Sequence, residues 1–212
     1  MTTYQGQPDT AAPADAGAVG NARLTAANGT LLIVLLAAEG VTVLDVRGLI
    51  SWHVFVGILL IGPVLLKTAS TGYRFVRYYT GRADYVSHGP PHPVLRIIGP
   101  LVILSSLLLL GTGVALLAYK PDSAGFLLTV HKASFFAWFA LMTVHVLGHL
   151  REALLATWQE LRPRRIGRRR AIRLSLIALA LLVGVGGAAA IYPHAGNWTS
   201  ARLHGDGPHE GR

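Results

Sequence analysis

His131-Lys132-Ala133-Ser134-Phe135-Phe136-Ala137-Trp138-Phe139-Ala140-Leu141-Met142-Thr143-Val144-His145 lies inside a longer apolar stretch, Ala124 to Trp158, and its two end histidines decide how the chain is built. In an α-helix an interval of fourteen residues rises ~21 Å and turns through about 1400°, so the two rings sit only ~40° apart on one face. The apolar core of a bilayer is ~30 Å thick, which places one imidazole toward each of its edges. Ionisable side chains are rare in membrane helices, and those present usually face the bundle interior and carry function. Two stacked interior histidines therefore point to two planar cofactors, haems above all. The competing expectation is two polar side chains that hydrogen-bond neighbouring helices.

Composition supports a membrane setting. Hydrophobic residues make up 52% of the 212 and charged residues 14%, a balance that suits a polytopic membrane protein better than a soluble domain. Five stretches are long enough to span: Leu24–Val46, Ser51–Tyr73, Leu95–Ala118, Phe126–Leu150 and Ala171–Tyr192. The expected fold is an all-α integral membrane protein, a four-helix transmembrane haem-binding bundle plus a fifth transmembrane helix. It divides into a disordered cytoplasmic tail over 1–22, a four-span domain over 23–158, a basic link over 159–170, the fifth helix over 171–192 and a flexible extracytoplasmic tail over 193–212. The first tail has no basic residue followed by an apolar run, so it does not read as a cleavable signal peptide. The chain has no cysteine, which excludes disulfides, iron–sulfur clusters and covalently attached haem. Any haem must be held by histidine, with help from Lys or Met.

The formal charge of +9 is concentrated rather than spread. Arg162, Arg164, Arg165, Arg168, Arg169, Arg170 and Arg173 crowd the link before the fifth span, and Arg74, Arg77, Arg82 and Arg96 flank the link between the second and third. The other two links set Arg47 against Asp45 and Lys120 against Asp122. This alternation is the positive-inside pattern, with the N-terminus in the cytoplasm and the C-terminus outside. The expected location is the cytoplasmic membrane of a bacterium, crossed several times. Lipid headgroups are the expected partners of the arginines, and nucleic acid is not expected.

Depth then sorts the nine histidines. His53 and His131 each follow an outer link and can approach one metal from two facing helices, as bis-imidazole ligation requires. His145 lies deep toward the cytoplasm and is the candidate ligand of an inner haem. His149, one turn beyond it, suits a propionate, a quinone or the membrane interface. Lys67 follows His53 by the same interval of fourteen and is a candidate completing ligand or propionate partner, against the ordinary role of snorkelling to the surface. His92, in Gly89-Pro90-Pro91-His92-Pro93, is a second candidate and His88 a weaker one. Gly57, Gly62, Gly111 and Gly113 leave room for a macrocycle or for close helix packing. Phe135, Phe136 and Trp138 wall a cofactor or fill an interface. Glu39, a carboxylate within a span, has two readings: it orients a ligating imidazole or takes a proton from quinol, or it pairs with a cation at the surface. Arg74 and Arg77 are interfacial anchors with a second reading as propionate partners. His194, His204 and His209 are spaced too irregularly for a metal site.

The runs Trp52-His53-Val54-Phe55-Val56-Gly57, Ser70-Thr71-Gly72-Tyr73-Arg74-Phe75, His131-Lys132-Ala133-Ser134-Phe135 and His145-Val146-Leu147-Gly148-His149 resemble small bacterial membrane proteins of the domain family with unknown function 4405. More broadly, the chain from Leu24 to Leu150 resembles the cytochrome b561-like superfamily, including the cytochrome b subunits of formate dehydrogenases and nickel–iron hydrogenases. The resemblance implies haem b held by His53, His131 and His145, electron exchange with menaquinone, and an extracytoplasmic redox protein subunit as partner. One departure matters: those subunits draw an inner-haem histidine from the first span, and this chain has no histidine before His53. One haem is thus expected and a second is conditional on another ligand. The expected function is a b-type cytochrome membrane subunit that passes electrons between the quinone pool and a redox partner, an electron-transfer subunit rather than a complete enzyme. The alternatives are a small transporter or proton pathway, and a haem-free anchor for a partner protein.

Overall fold

The computed structural model describes residues 16–87, 89, 93–161, 168–196 and 198. Among them the chain is helical and has no strand, with α1 (Ala16–Leu44), α2 (Val46–Tyr79), α3 (Ala83–Val86), α4 (Pro93–Leu116), α5 (Gly125–Leu161) and α6 (Arg168–Ile191). All but the single-turn α3 are long and apolar enough to cross a membrane. α2 and α5 have 34 and 37 residues. At 1.5 Å per residue they reach roughly 50–55 Å, well beyond the ~30 Å apolar core.

Helix α1 runs along α2 and also packs on α5; α5 packs on α4, and α4 touches α2 more lightly. Those contacts close a four-helix ring in which α2 and α5 face each other across a diagonal. Helix α6 lies outside the ring against α2, so the expected four-plus-one arrangement is the one found.

The α2–α6 seam has a clear local cause. A side-chain carbon at Gly62 would overlap the Ala180 carbonyl oxygen, and one at Gly184 would overlap the Leu59 carbonyl oxygen. Pro63 lacks an N–H, so the Leu59 carbonyl four residues earlier loses its helical donor. That carbonyl instead faces the Gly184 backbone, where a weak Cα–H···O contact is available. Small residues let the two backbones close up in this way. Gly62 therefore serves helix packing rather than a macrocycle.

Polar side chains pin α1 to α2 along their length. Asn21 donates to the Ser70 carbonyl at 3.0 Å, Thr25 to the Ser70 hydroxyl at 3.0 Å, and Asn28 to the Pro63 carbonyl at 2.8 Å. These bonds carry helix back to Ala16, so residues 16–22 belong to α1 rather than to a disordered tail. At the other end of the hairpin, Asp45 alone joins the helices. Its carboxylate accepts from the Gly48 N–H at 2.8 Å as an N-cap, and the backbone bends at Leu49 just before His53.

The end of the bundle rich in arginine is tied by aromatic contacts. Tyr85 of α3 is buried edge-on to Tyr73, with ring centres 6.1 Å apart. Arg77 donates to the Tyr73 hydroxyl at 2.9 Å, and Arg96 hydrogen-bonds Tyr79. At the opposite end the Trp198 indole N–H points to the Leu116 and Tyr119 carbonyls, 3.0 and 3.1 Å away, which helps satisfy the last turn of α4.

Candidate cofactor site

His53 of α2 and His131 of α5 meet across the diagonal, with ring centres 6.4 Å apart and planes at 79°. Each ring is anchored through Nδ1 to a neighbouring helix. On α1, Glu39 Oε1 lies 2.8 Å from His53 Nδ1 and the Thr42 hydroxyl 3.1 Å from it. On α4, the Thr112 hydroxyl lies 3.0 Å from His131 Nδ1.

These partners assign the tautomers. A carboxylate only accepts hydrogen bonds, so the proton of a neutral His53 sits on Nδ1. The Thr112 hydroxyl gives its one hydrogen to the Leu108 or Leu109 carbonyl, at 2.8 and 3.0 Å, and so must accept from His131 Nδ1. Both rings are left with a lone pair on Nε2. Two neutral imidazoles that present lone pairs at such close quarters form a donor set for a Lewis acid.

Helix α5 is sparsely buried around the pair. Between Phe126 and Arg151 its buried side chain among the described residues is Ser134, while His131, Phe135, Trp138, Met142 and His145 remain half-buried. Trp138 is locked by an indole N–H bond to the buried Ser106 hydroxyl at 2.9 Å, so α4 and α5 hold one register at the site. Gly113 lets α4 come close, since a Cβ there would lie 3.1 Å from His131 Cε1. Gly111 has nothing near it, and Phe136 faces outward at 70% exposure.

The other half of the bundle is arranged differently. His145 and His149 lie edge-on, ring centres 5.0 Å apart, on one side of the same helix, so they cannot face each other across a macrocycle. Lys67 lies within electrostatic reach of His145, but its ammonium donates to the Thr25 carbonyl at 2.7 Å and rests against Gly29. Among the described residues, the buried His145 Nδ1 and Asn28 Oδ1 have no hydrogen-bond partner. His88 and His92 lie outside the described residues. A second facing pair is not brought together among the described residues. Arg74 is exposed and Arg77 is engaged with Tyr73. Both stand roughly 30–36 Å along α2 from His53, too far to serve a group held there.

Among the described residues no three His, Cys, Asp or Glu side chains gather as a metal-binding group. A bare zinc-type ion usually takes three or four protein ligands, whereas a metal already held by a macrocycle needs only two. An apolar groove of about 490 Å³ lies elsewhere, between the first turns of α2 and the end of α6, lined by Ser51, Trp52, Phe55, Ala189, Tyr192 and Pro193. Thr42, Thr112 and Ser106 escaped the sequence reading. Matching the depths of threonines in apolar spans to those of the histidines would have found the first two. No family model, curated protein or solved structure matches the chain.

Proposed function

We propose that the protein is a b-type cytochrome of the membrane, holding one haem between His53 and His131 and passing electrons between a quinone pool and an extracytoplasmic redox partner. The observation that carries the reading is the pair itself: two facing imidazoles whose Nδ1 atoms are both engaged, leaving both Nε2 atoms for metal. Two metal–imidazole bonds of ~2 Å plus the two ring radii span roughly 6 Å, and the ring centres stand 6.4 Å apart. When bound, haem supplies one-electron chemistry, and two histidine ligands leave no open position for substrate. The protein's own part is to orient the rings through Glu39, Thr42 and Thr112 and to exclude water with apolar helices. The resemblance to cytochrome b subunits supports menaquinone and a partner subunit. Charge asymmetry supports a cytoplasmic N-terminus, an outside C-terminus and a haem near the outer face.

The test is the absorption spectrum of the protein purified from membranes of a haem-sufficient host. A Soret band with sharp reduced α-bands is expected, at one haem per chain, and either His53→Ala or His131→Ala should abolish it. Retention of the low-spin spectrum in both variants would overturn the assignment. The unpartnered His145 Nδ1 and Asn28 Oδ1 near Lys67 favour a second reading, a polar pathway for protons through that half. It predicts a colourless protein whose reconstituted vesicles lose proton permeability on Lys67→Met.

A further inference from the structure

We propose that Glu39 is a positioning residue that makes the two sides of the histidine pair electronically unequal. It holds His53 as the Nδ1-protonated tautomer and lends it anionic character that His131 lacks. The inference rests on the reading of the pair as haem ligands and adds a residue and a direction of effect.

Glu39 Oε1 is 2.8 Å from His53 Nδ1. Thr42 braces the contact, its hydroxyl 3.1 Å from the same nitrogen, 3.2 Å from Glu39 Oε2 and 2.6 Å from the Glu39 carbonyl. The partners of His131 among the described residues are neutral: the Thr112 hydroxyl at 3.0 Å from Nδ1 and the Leu109 backbone carbonyl. A carboxylate inside an apolar span is costly unless paired, and the Glu39 side chain is only 16% exposed, so its place against the imidazole is specific. Gly57, one turn beyond His53, keeps that place open. A Cβ there would already touch Glu39 Oε1 at 3.5 Å, and a branched side chain would push the carboxylate away.

An anionic acceptor behind a ligating imidazole raises its basicity and favours the more positive, oxidised metal. A neutral hydroxyl does so weakly. On reduction one electron enters from the redox partner, no bond forms or breaks, and the proton stays on Nδ1.

The experiment is a spectroscopic redox titration of the full-length haem protein in detergent, with Glu39→Gln, Gly57→Val and Thr112→Val. Glu39→Gln should keep haem stoichiometry and a low-spin spectrum. At fixed ambient potential its oxidised-to-reduced ratio should fall about tenfold, a rise of ~59 mV for a one-electron couple. Gly57→Val should move the same way with the carboxylate still present, and Thr112→Val should move less. Should Glu39→Gln lose haem, Gly57→Val decides alone. An unchanged ratio in every haem-loaded variant of Glu39 or Gly57 would overturn the inference, as would an equal shift from Thr112→Val. A wild-type protein without haem would instead sink the ligand reading beneath it.

Discussion

The two halves of the α5 histidine stripe are built on opposite terms. Around His131 and His53, both Nδ1 atoms have partners supplied by adjacent helices, at 3.0 Å from Thr112 and 2.8 Å from Glu39. Around His145, a buried Nδ1 and the Asn28 Oδ1 have no hydrogen-bond partner among the described residues, and Lys67 is drawn off to a backbone carbonyl of α1. The same residue type, repeated fourteen positions apart on one helix face, thus yields a pre-oriented pair at one depth and, at the other, a buried His145 Nδ1 without a hydrogen-bond partner among the described residues. Equal spacing along a helix does not make equal sites. The neighbours on the other helices decide, because a ring needs both an anchor for one nitrogen and a facing ring for the other.

The largest expected effect tests that contrast directly. His131→Ala should remove the low-spin haem spectrum, whereas His145→Ala should leave most of it. Equal losses would mean that both halves hold haem and would erase the distinction. A middle-sized effect is expected in thermal unfolding in detergent. Thr112→Val removes the hydroxyl that meets His131 Nδ1 and should cost about 1–3 kcal/mol, lowering the apparent Tm by ~2–4 °C per kcal/mol for a chain of this size. Asn28→Leu removes an atom that was already unsatisfied along with one interhelical bond, and should cost less, about 0.6 kcal/mol. A larger loss from Asn28→Leu than from Thr112→Val would show that the second half has partners after all. The smallest effect belongs to Lys67→Met, which removes a half-buried cation and keeps the chain volume. It should leave the apparent Tm within about 2 °C of wild type. A fall beyond that would make the Thr25 contact a structural tie rather than a resting place.

The helical class, the five helices long and apolar enough to span, and the approach of His53 to His131 are legible from residues alone. Apolar run length sets the spans, charge at their ends predicts their direction, and depth along a helix follows from its constant rise. The limits of α1 were not legible, because residues 16–22 carry a weak apolar signal and become helical through Asn21 and Thr25 bonding to α2. The service of Gly62 to α6 was not legible either. A glycine records that space is needed but not which neighbour takes it, and here the neighbour is Ala180. Glu39 is legible as a carboxylate in a span, but its partner is not, because the packing of α1 and α2 as a hairpin is what sets it against His53.

By itself, then, the sequence determined what every helix carries at each depth: histidine, glutamate and threonine at one level, histidine, lysine and asparagine at the other. Only the tertiary structure decided which of those side chains meet. Rise and rotation are properties of one helix, but facing is a property of the ring of helices. Placing α2 opposite α5, with α1 and α4 between them, brings His53 and His131 together, anchors each to a different neighbour, and leaves His145 without an answering ring among the described residues.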